Sequence, residues 1–250
     1  MEIEKLRQWF RPFPLEEAKV VLFVQPHPDD VDLALGATVS KLSSEGKKVY
    51  YLTVTDGRKG TFDPNMDEGE LARTRKREEE KAAEILGVHE LLWLDFEDLG
   101  DYSVEEARRE IVRVLRSVNP NVVITVDPFL PYESHPDHRK TGLAATEAVA
   151  FTGLPTFDRE SFKPTEIKSV GYFFTAYPNT FVNVDGHFEK KLLAIEQHKS
   201  QFGPEYLRLV QEYLTERARS FGRKIGCLYA EELKLLGVNA LHIVPEAVFL

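Results

Sequence analysis

The chain has little of several things, and each shortage narrows what it can be. It holds one cysteine, Cys227, so no intramolecular disulfide can form, and a reducing cytoplasm is the expected compartment. A lone cysteine is most often a small buried hydrophobe, and burial is the expectation for Cys227. No apolar run approaches the ~20 residues that span a bilayer, and the opening Met1-Glu2-Ile3-Glu4-Lys5 lacks the apolar core of a signal peptide. Positive charge is also short. Lys and Arg number 32 against 41 Asp and Glu, a net charge of −9. Phosphate binding needs clustered cations, so neither nucleic acid nor an anionic membrane is an expected partner. No glycine-rich turn follows the first apolar run. Pro26–Asp30 stands in that place, and its two carboxylates would repel a pyrophosphate, so a bound dinucleotide is not expected.

What remains is ordinary for a soluble globular protein: 250 residues, 42% apolar and 29% charged. The expected organisation is one domain over 1–250, with a core over about 19–203 and a C-terminal extension over about 204–250. Residues 1–18 read as an extension that packs through Trp9 and Phe10. Short apolar runs at Val20–Gln25, Val49–Val54, Leu91–Leu94, Val122–Val126 and Val170–Thr175 read as strands. Helical spacing appears over Val31–Ser44, Glu70–Leu86, Val104–Val118, Thr141–Ala150, Phe188–Gln201 and Glu205–Phe221. Gly46, Gly87 and Pro120 are the expected helix stops. Strands alternating with helices imply an α/β, Rossmann-like three-layer sandwich with a mainly parallel sheet.

Two motifs carry the chemistry: Pro26-His27-Pro28-Asp29-Asp30 and Ser134-His135-Pro136-Asp137-His138. Each follows an expected strand, and strand ends are where open α/β sheets hold ligands. Two His and one carboxylate are a common catalytic zinc set, with a position left for water. His27, Asp30 and His138 can supply it. Asp29 then remains beside the metal as a base. The plain alternatives are an N-cap for Asp29 or Asp30 and an exposed loop position for each His. A facial-triad iron site is a further reading of His27, Asp29 and His138. It belongs with antiparallel double-sheet folds, and the βα alternation speaks against it.

Further strings extend the pattern: Thr55-Asp56-Gly57, Arg75-Lys76-Arg77-Glu78 before Leu86-Gly87-Val88, and Pro131-Tyr132-Glu133 leading into the second motif. Together with the two motifs, and in this order over roughly 19–203, they resemble the PIG-L/LmbE-like zinc de-N-acetylases. The string Pro131 to Gly142, and Leu241-His242-Ile243 before Pro245, look like the archaeal diacetylchitobiose deacetylases within that superfamily.

The resemblance implies a Rossmann-like fold, a Zn2+ cofactor and hydrolysis of the acetamido group of an N-acetylglucosamine-type sugar, chiefly diacetylchitobiose. It implies His27, Asp30 and His138 as metal ligands and Asp29 as general base. His135 would stabilise the oxyanion or protonate the leaving amine, with Asp137 orienting its ring. Arg75 and Asp98 would bind sugar hydroxyls. A homo-oligomer is implied, a hexamer being the candidate form, with His242 reaching a neighbouring subunit's site. Plain readings stand beside these: Arg75 as a solvated helix charge, Asp98 as a turn residue and His242 as a packed strand residue. His198 is expected to be structural, and His89 and His187 to lie on the surface. Trp93, Phe129 and Tyr132 are candidates to line a sugar pocket. Another acetamido-sugar conjugate, or metal-dependent sugar binding without catalysis, are the alternative functions.

Overall fold

The computed structural model describes residues 8–158 and 162–250. Its elements are β1 (Val20–Gln25), α1 (Asp30–Ser44), β2 (Lys48–Thr55), α2 (Glu68–Leu86), β3 (Glu90–Phe96), α3 (Val104–Val118) and β4 (Val122–Val126). Then come α4 (Pro136–Phe151), β5 (Ser169–Phe173), β6 (Thr180–Asn183), α5 (Phe188–Ile195), α6 (Pro204–Ile225) and β7 (Ala230–Gly237).

The seven strands form one sheet in the order β3-β2-β1-β4-β5-β7-β6. The first five in that order pair in parallel, and β7 and β6 add two antiparallel pairings at one side. Alternate residues of β1 point to opposite faces, as a pleated strand requires. Val21 and Phe23 enter a core with α1, α2, α5 and α6, whereas Leu22 and Val24 enter a core with α3 and α4. The sheet is therefore covered on both sides, which is why β1 and β4 are buried almost throughout.

The topology positions the site. The chain leaves β1 toward β2 on one side, while β4 pairs with β1 on the other, with Val21 opposite Val122 and Val24 opposite Thr125. That reversal is a topological switch point, and it opens a crevice beyond the carboxyl ends of β1 and β4. Both motifs follow those two strands.

The sequence expectations hold for most elements and miss in four places. The fourth helix starts at Pro136 rather than Thr141, so the second motif occupies its first turn. Pro suits that position because its missing N–H would be unsatisfied there anyway. The helix after Phe188 ends at Ile195, and His198 turns inward instead of continuing it. Strands β6 and β7 were not expected. β7 carries Glu231 and Lys234, both buried, which disguises it as a surface segment. Glu231 explains itself by its partners. Helix α1 breaks at Leu35 (φ −131°, ψ 21°). Glu231 then accepts the freed N–H groups of Ala37 (3.2 Å) and Thr38 (2.6 Å), while Lys191 binds Glu231 at 2.6 Å. Cys227 is half-buried, not enclosed, with its thiol directed to the Tyr229 carbonyl. No helix among the described residues is long and apolar enough to cross a membrane.

Candidate active site

The turn after β1 brings His27, Asp29 and Asp30 together at the start of α1. Asp29 occupies the N-cap position but caps nothing. Its Oδ1 instead accepts from Arg75 Nη2 at 3.0 Å. Arg75 is buried on α2 and also donates to the Gly57 carbonyl at 3.1 Å. Gly57 has φ +65°, and a Cβ there would stand 2.5 Å from the Arg75 guanidinium. The Thr55-Asp56-Gly57 string is thereby explained, since only glycine allows both the backbone and the arginine at this point.

Asp30 sits between two imidazoles. Its Oδ2 accepts from the His27 backbone N–H (2.9 Å) and lies 3.2 Å from His27 Nδ1. Its Oδ1 lies 3.3 Å from His138 Nε2 on the first turn of α4. Burial works against charge in this cluster, yet proximity prevails. His138 and His27 hold the Asp30 carboxyl well below the usual range. Burial lowers both His rings, but Asp137, Asp30 and Asp98 raise His27 well above the ordinary value, and Asp30 raises His138. Such a cluster is one that a cation can hold together.

Three observations test that fit. His27, Asp30 and His138 each offer a ligand atom, all within 4.8 Å of one another. The donor set of two nitrogens and one oxygen suits a divalent ion such as zinc. His27 Nδ1 and His138 Nε2 both turn to the same carboxylate, 3.2 and 3.3 Å from the two oxygens of Asp30. The residues present therefore fit a divalent cation.

His135 precedes α4 and lies edge-on to His27, with ring centroids 4.6 Å apart. Its Nδ1 accepts the Asp137 backbone N–H at 3.3 Å. This bond leaves the ring proton on Nε2. Burial and the His27 and His138 rings keep His135 below the usual imidazole range. The Asp137 carboxylate, expected to orient His135, does not reach it: Nδ1 to Oδ2 is 4.0 Å, beyond hydrogen-bond length. Asp137 orients His135 through its amide instead. Its carboxylate accepts from Leu99 N–H (2.8 Å) and the Tyr102 hydroxyl (2.9 Å). Burial opposes the charge, but His27 and those two donors hold the carboxyl below its usual range.

Asp98 is buried, not a plain turn residue. Its Oδ2 accepts from Lys59 N–H (3.1 Å), and its Oδ1 has no hydrogen-bond partner and lies 3.5 Å from His27 Nε2. Arg75, expected to meet sugar hydroxyls, gives Nη2 to Asp29 and Nη1 to Gly57, while its buried Nε has no hydrogen-bond partner. His242 is exposed in a bend between two short 3-10 turns and touches none of the motif residues by hydrogen bond or ion pair. Trp93 lies under Lys76 rather than in a pocket. Phe129 and Tyr132 project from the motif loop, largely exposed. His89 is exposed, and His187 is half-buried against Ser40.

Sequence reasoning missed four residues. Glu133 accepts the His135 N–H with Oε1 (2.8 Å) and places Oε2 3.2 Å from His138 Nδ1, off the hydrogen-bond axis. Tyr102 grips Asp137. Beneath the site, Asp32 binds the structural His198 (2.8 Å) and the Tyr51 hydroxyl (3.0 Å). Glu79 accepts from Thr53 and Gln25, and burial together with Asp32 and Asp29 pushes its carboxyl well up. The one available signal was Glu133, two residues before His135. A cavity of about 420 Å³ opens beside His138, lined by Leu130, Glu133, Phe174, Lys191 and Glu231.

The chain is similar to several known proteins. The family model described as GlcNAc-PI de-N-acetylase (PIG-L) matches residues 22–149. Diacetylchitobiose deacetylase of Thermococcus kodakarensis is 42% identical over 238 residues, spanning 94% of this chain and 89% of that one. A probable N-acetyl-alpha-D-glucosaminyl L-malate deacetylase 2 of Bacillus anthracis is 30% identical, spanning 80% and 88%. The solved N,N'-diacetylchitobiose deacetylase from Pyrococcus horikoshii superimposes with a TM-score of 0.89 at 38% identity, covering 95% of this chain and 91% of that one.

Proposed function

Since the chain belongs to the GlcNAc-PI de-N-acetylase family, we propose that it is a zinc-dependent hydrolase of N-acetylglucosamine-type sugars, chiefly diacetylchitobiose. The products are acetate and the free amino sugar. The observation that carries this reading is the meeting of His27, Asp30 and His138 within 4.8 Å, with Asp29 and His135 beside them.

His27, Asp30 and His138 would hold the divalent cation, which would supply Lewis acidity to the reaction when bound. The chain's own residues do the rest. Asp29 is fixed at one oxygen by Arg75 and accepts the water proton at the other. His135, its Nδ1 tied to the Asp137 amide, presents Nε2–H to the oxygen that gains charge as water adds to the carbonyl carbon. The carbonyl re-forms as the C–N bond breaks, and the amine leaves with the proton that Asp29 took from the water. The free Asp98 oxygen is the acceptor offered to a sugar hydroxyl.

The same reading places the enzyme in the cytoplasm, acting on chitin oligosaccharides as a homo-oligomer. Exposed Ile243 and Phe249 around His242 support a subunit contact there, and light scattering tests it.

Acetate release from N,N'-diacetylchitobiose and N-acetylglucosamine, with zinc-loaded and chelated protein, tests the proposal. Zinc-dependent release is expected, faster on the disaccharide. No release from either, with zinc bound, would leave another acetamido sugar or binding without catalysis.

A further inference from the structure

Helix α1 starts at the proposed base, and its first turn makes two demands on one carboxylate. Asp29 holds the N-cap position, with its carbonyl accepting the Leu33 N–H at 3.0 Å. A polar residue placed there ordinarily turns its side chain to the N–H of the second or third helical residue. Three other helices of the chain follow that rule. Asp67 accepts from the Glu70 N–H at 2.7 Å, Ser103 from the Glu106 N–H at 3.1 Å and His135 from the Asp137 N–H at 3.3 Å. The Asp29 carboxylate accepts no N–H of α1, and its Oδ1 goes to Arg75 instead.

The cap comes from the sheet. Gln25, the last residue of β1, is buried, and its Oε1 accepts the Val31 N–H at 2.9 Å. Val31 is the second residue of α1, so this is an amide that an N-cap side chain would take. The Gln25 side chain faces one way only. Val31 N–H can only donate, so it meets the oxygen, while Nε2 donates to Thr53 Oγ1 (3.0 Å) on β2 and Glu79 Oε1 (2.9 Å) on α2. Thr53 donates to the same Glu79 oxygen at 2.7 Å. Turning the Gln25 amide away would leave buried polar groups without partners on both sides, which is costly.

From this we infer that Gln25 is a positioning residue: it caps α1 in place of Asp29 and so keeps the Asp29 carboxylate with Arg75 and open to water. Gln25 acts through Asp29, since its own side chain bonds only Val31, Thr53 and Glu79. Without its oxygen the buried Val31 N–H has no acceptor, and Asp29 already stands at the capping position. A carboxylate turned to Val31 leaves Arg75 and is no longer aimed at the water. That turnover depends on Gln25 rests on the proposed deacetylase reading; the exchange of one cap for another does not.

Gln25→Met tests this, because methionine keeps the length of the side chain and offers Val31 only a weak acceptor. In a crystal structure of the variant, Asp29 should turn from Arg75 to the Val31 N–H. With zinc at the wild-type level, kcat for acetate release should fall about tenfold while KM holds, short of the roughly 100-fold or more that loss of a base costs. In an Asp29→Asn background the same change should cost under about twofold, because residues that act as a unit are not additive. Gln25→Asn, one methylene too short to bridge Val31 and Glu79, should repeat these results and serves if Gln25→Met does not fold. A wild-type kcat in the variant would overturn the inference. So would an equal fall with and without Asp29, the mark of a merely structural residue, or Asp29 still paired with Arg75 in the variant structure. No acetate release by the wild type would remove the deacetylase reading alone, and the place of Asp29 in the variant structure would still decide the cap.

Discussion

Arg75 on α2 and Asp29 at the start of α1 are 46 residues apart in the chain and 3.0 Å apart in the fold. Both are buried, and the bond takes one oxygen of Asp29 and leaves the other for water. Arg75→Ala would strand a buried carboxylate, which costs about 3 kcal/mol when a buried partner is removed. Thermal unfolding should show that loss, and kcat should fall about a hundredfold, the lower end of what a positioned base contributes. Arg75→Lys should recover part of the stability, since a lysine can pair with Asp29 but cannot also fork to Gly57.

Gly57→Ala tests the same contact from the other side. A Cβ would lie 2.5 Å from Arg75 at a positive φ, so arginine or loop must move. Stability and turnover should both fall. Wild-type behaviour in both would show that Arg75 does not need the place it occupies.

Glu133 contacts both ends of the second motif. Glu133→Ala should weaken zinc affinity by about 10- to 100-fold, the usual cost of losing a carboxylate behind a ligating histidine. Glu133→Gln keeps an acceptor and should lose less. Chelator competition measures both. An unchanged affinity in Glu133→Ala would reduce Glu133 to a loop residue.

His198 and Asp32 give a pH dependence. Burial alone would lower His198, but the hydrogen bond and charge of Asp32 raise it above the ordinary imidazole value. Protonated His198 is therefore favoured in the folded chain. Its stabilisation is complete below the unfolded value of about 6.5 and fades as pH rises through the raised folded value. Comparing wild type with His198→Gln by denaturant unfolding should show the largest gap below about pH 6 and a shrinking gap above it. A gap that widened with pH would contradict the pairing.

Much of this was legible in the residues, and the gaps have physical causes. The runs at Val20–Gln25 and Val122–Val126 are buried on both faces, so they read as strands by composition alone, and the motifs stand directly after them. β7 was hidden because Glu231 and Lys234 look solvated until Lys191 and the break at Leu35 supply partners for Glu231, and the Val248 carbonyl one for Lys234. Asp32 and His198 lie 166 residues apart, and no local pattern announces a pair at that separation. The resemblance assigned Asp137 to His135, and their closeness in sequence allowed it. The helical start at Pro136 turns its carboxylate instead toward Leu99 and Tyr102, residues contributed by another loop.

Acetate release by Asp29→Asn, with zinc counted in the same sample, is the most direct trial of the site. Asparagine keeps the shape and the neighbours of Asp29 but cannot accept the water proton. Zinc should stay at the wild-type level, and acetate release should fall about a thousandfold. Release near the wild-type rate, with zinc in place, would contradict the assignment of Asp29 as the base and the reaction scheme built on it.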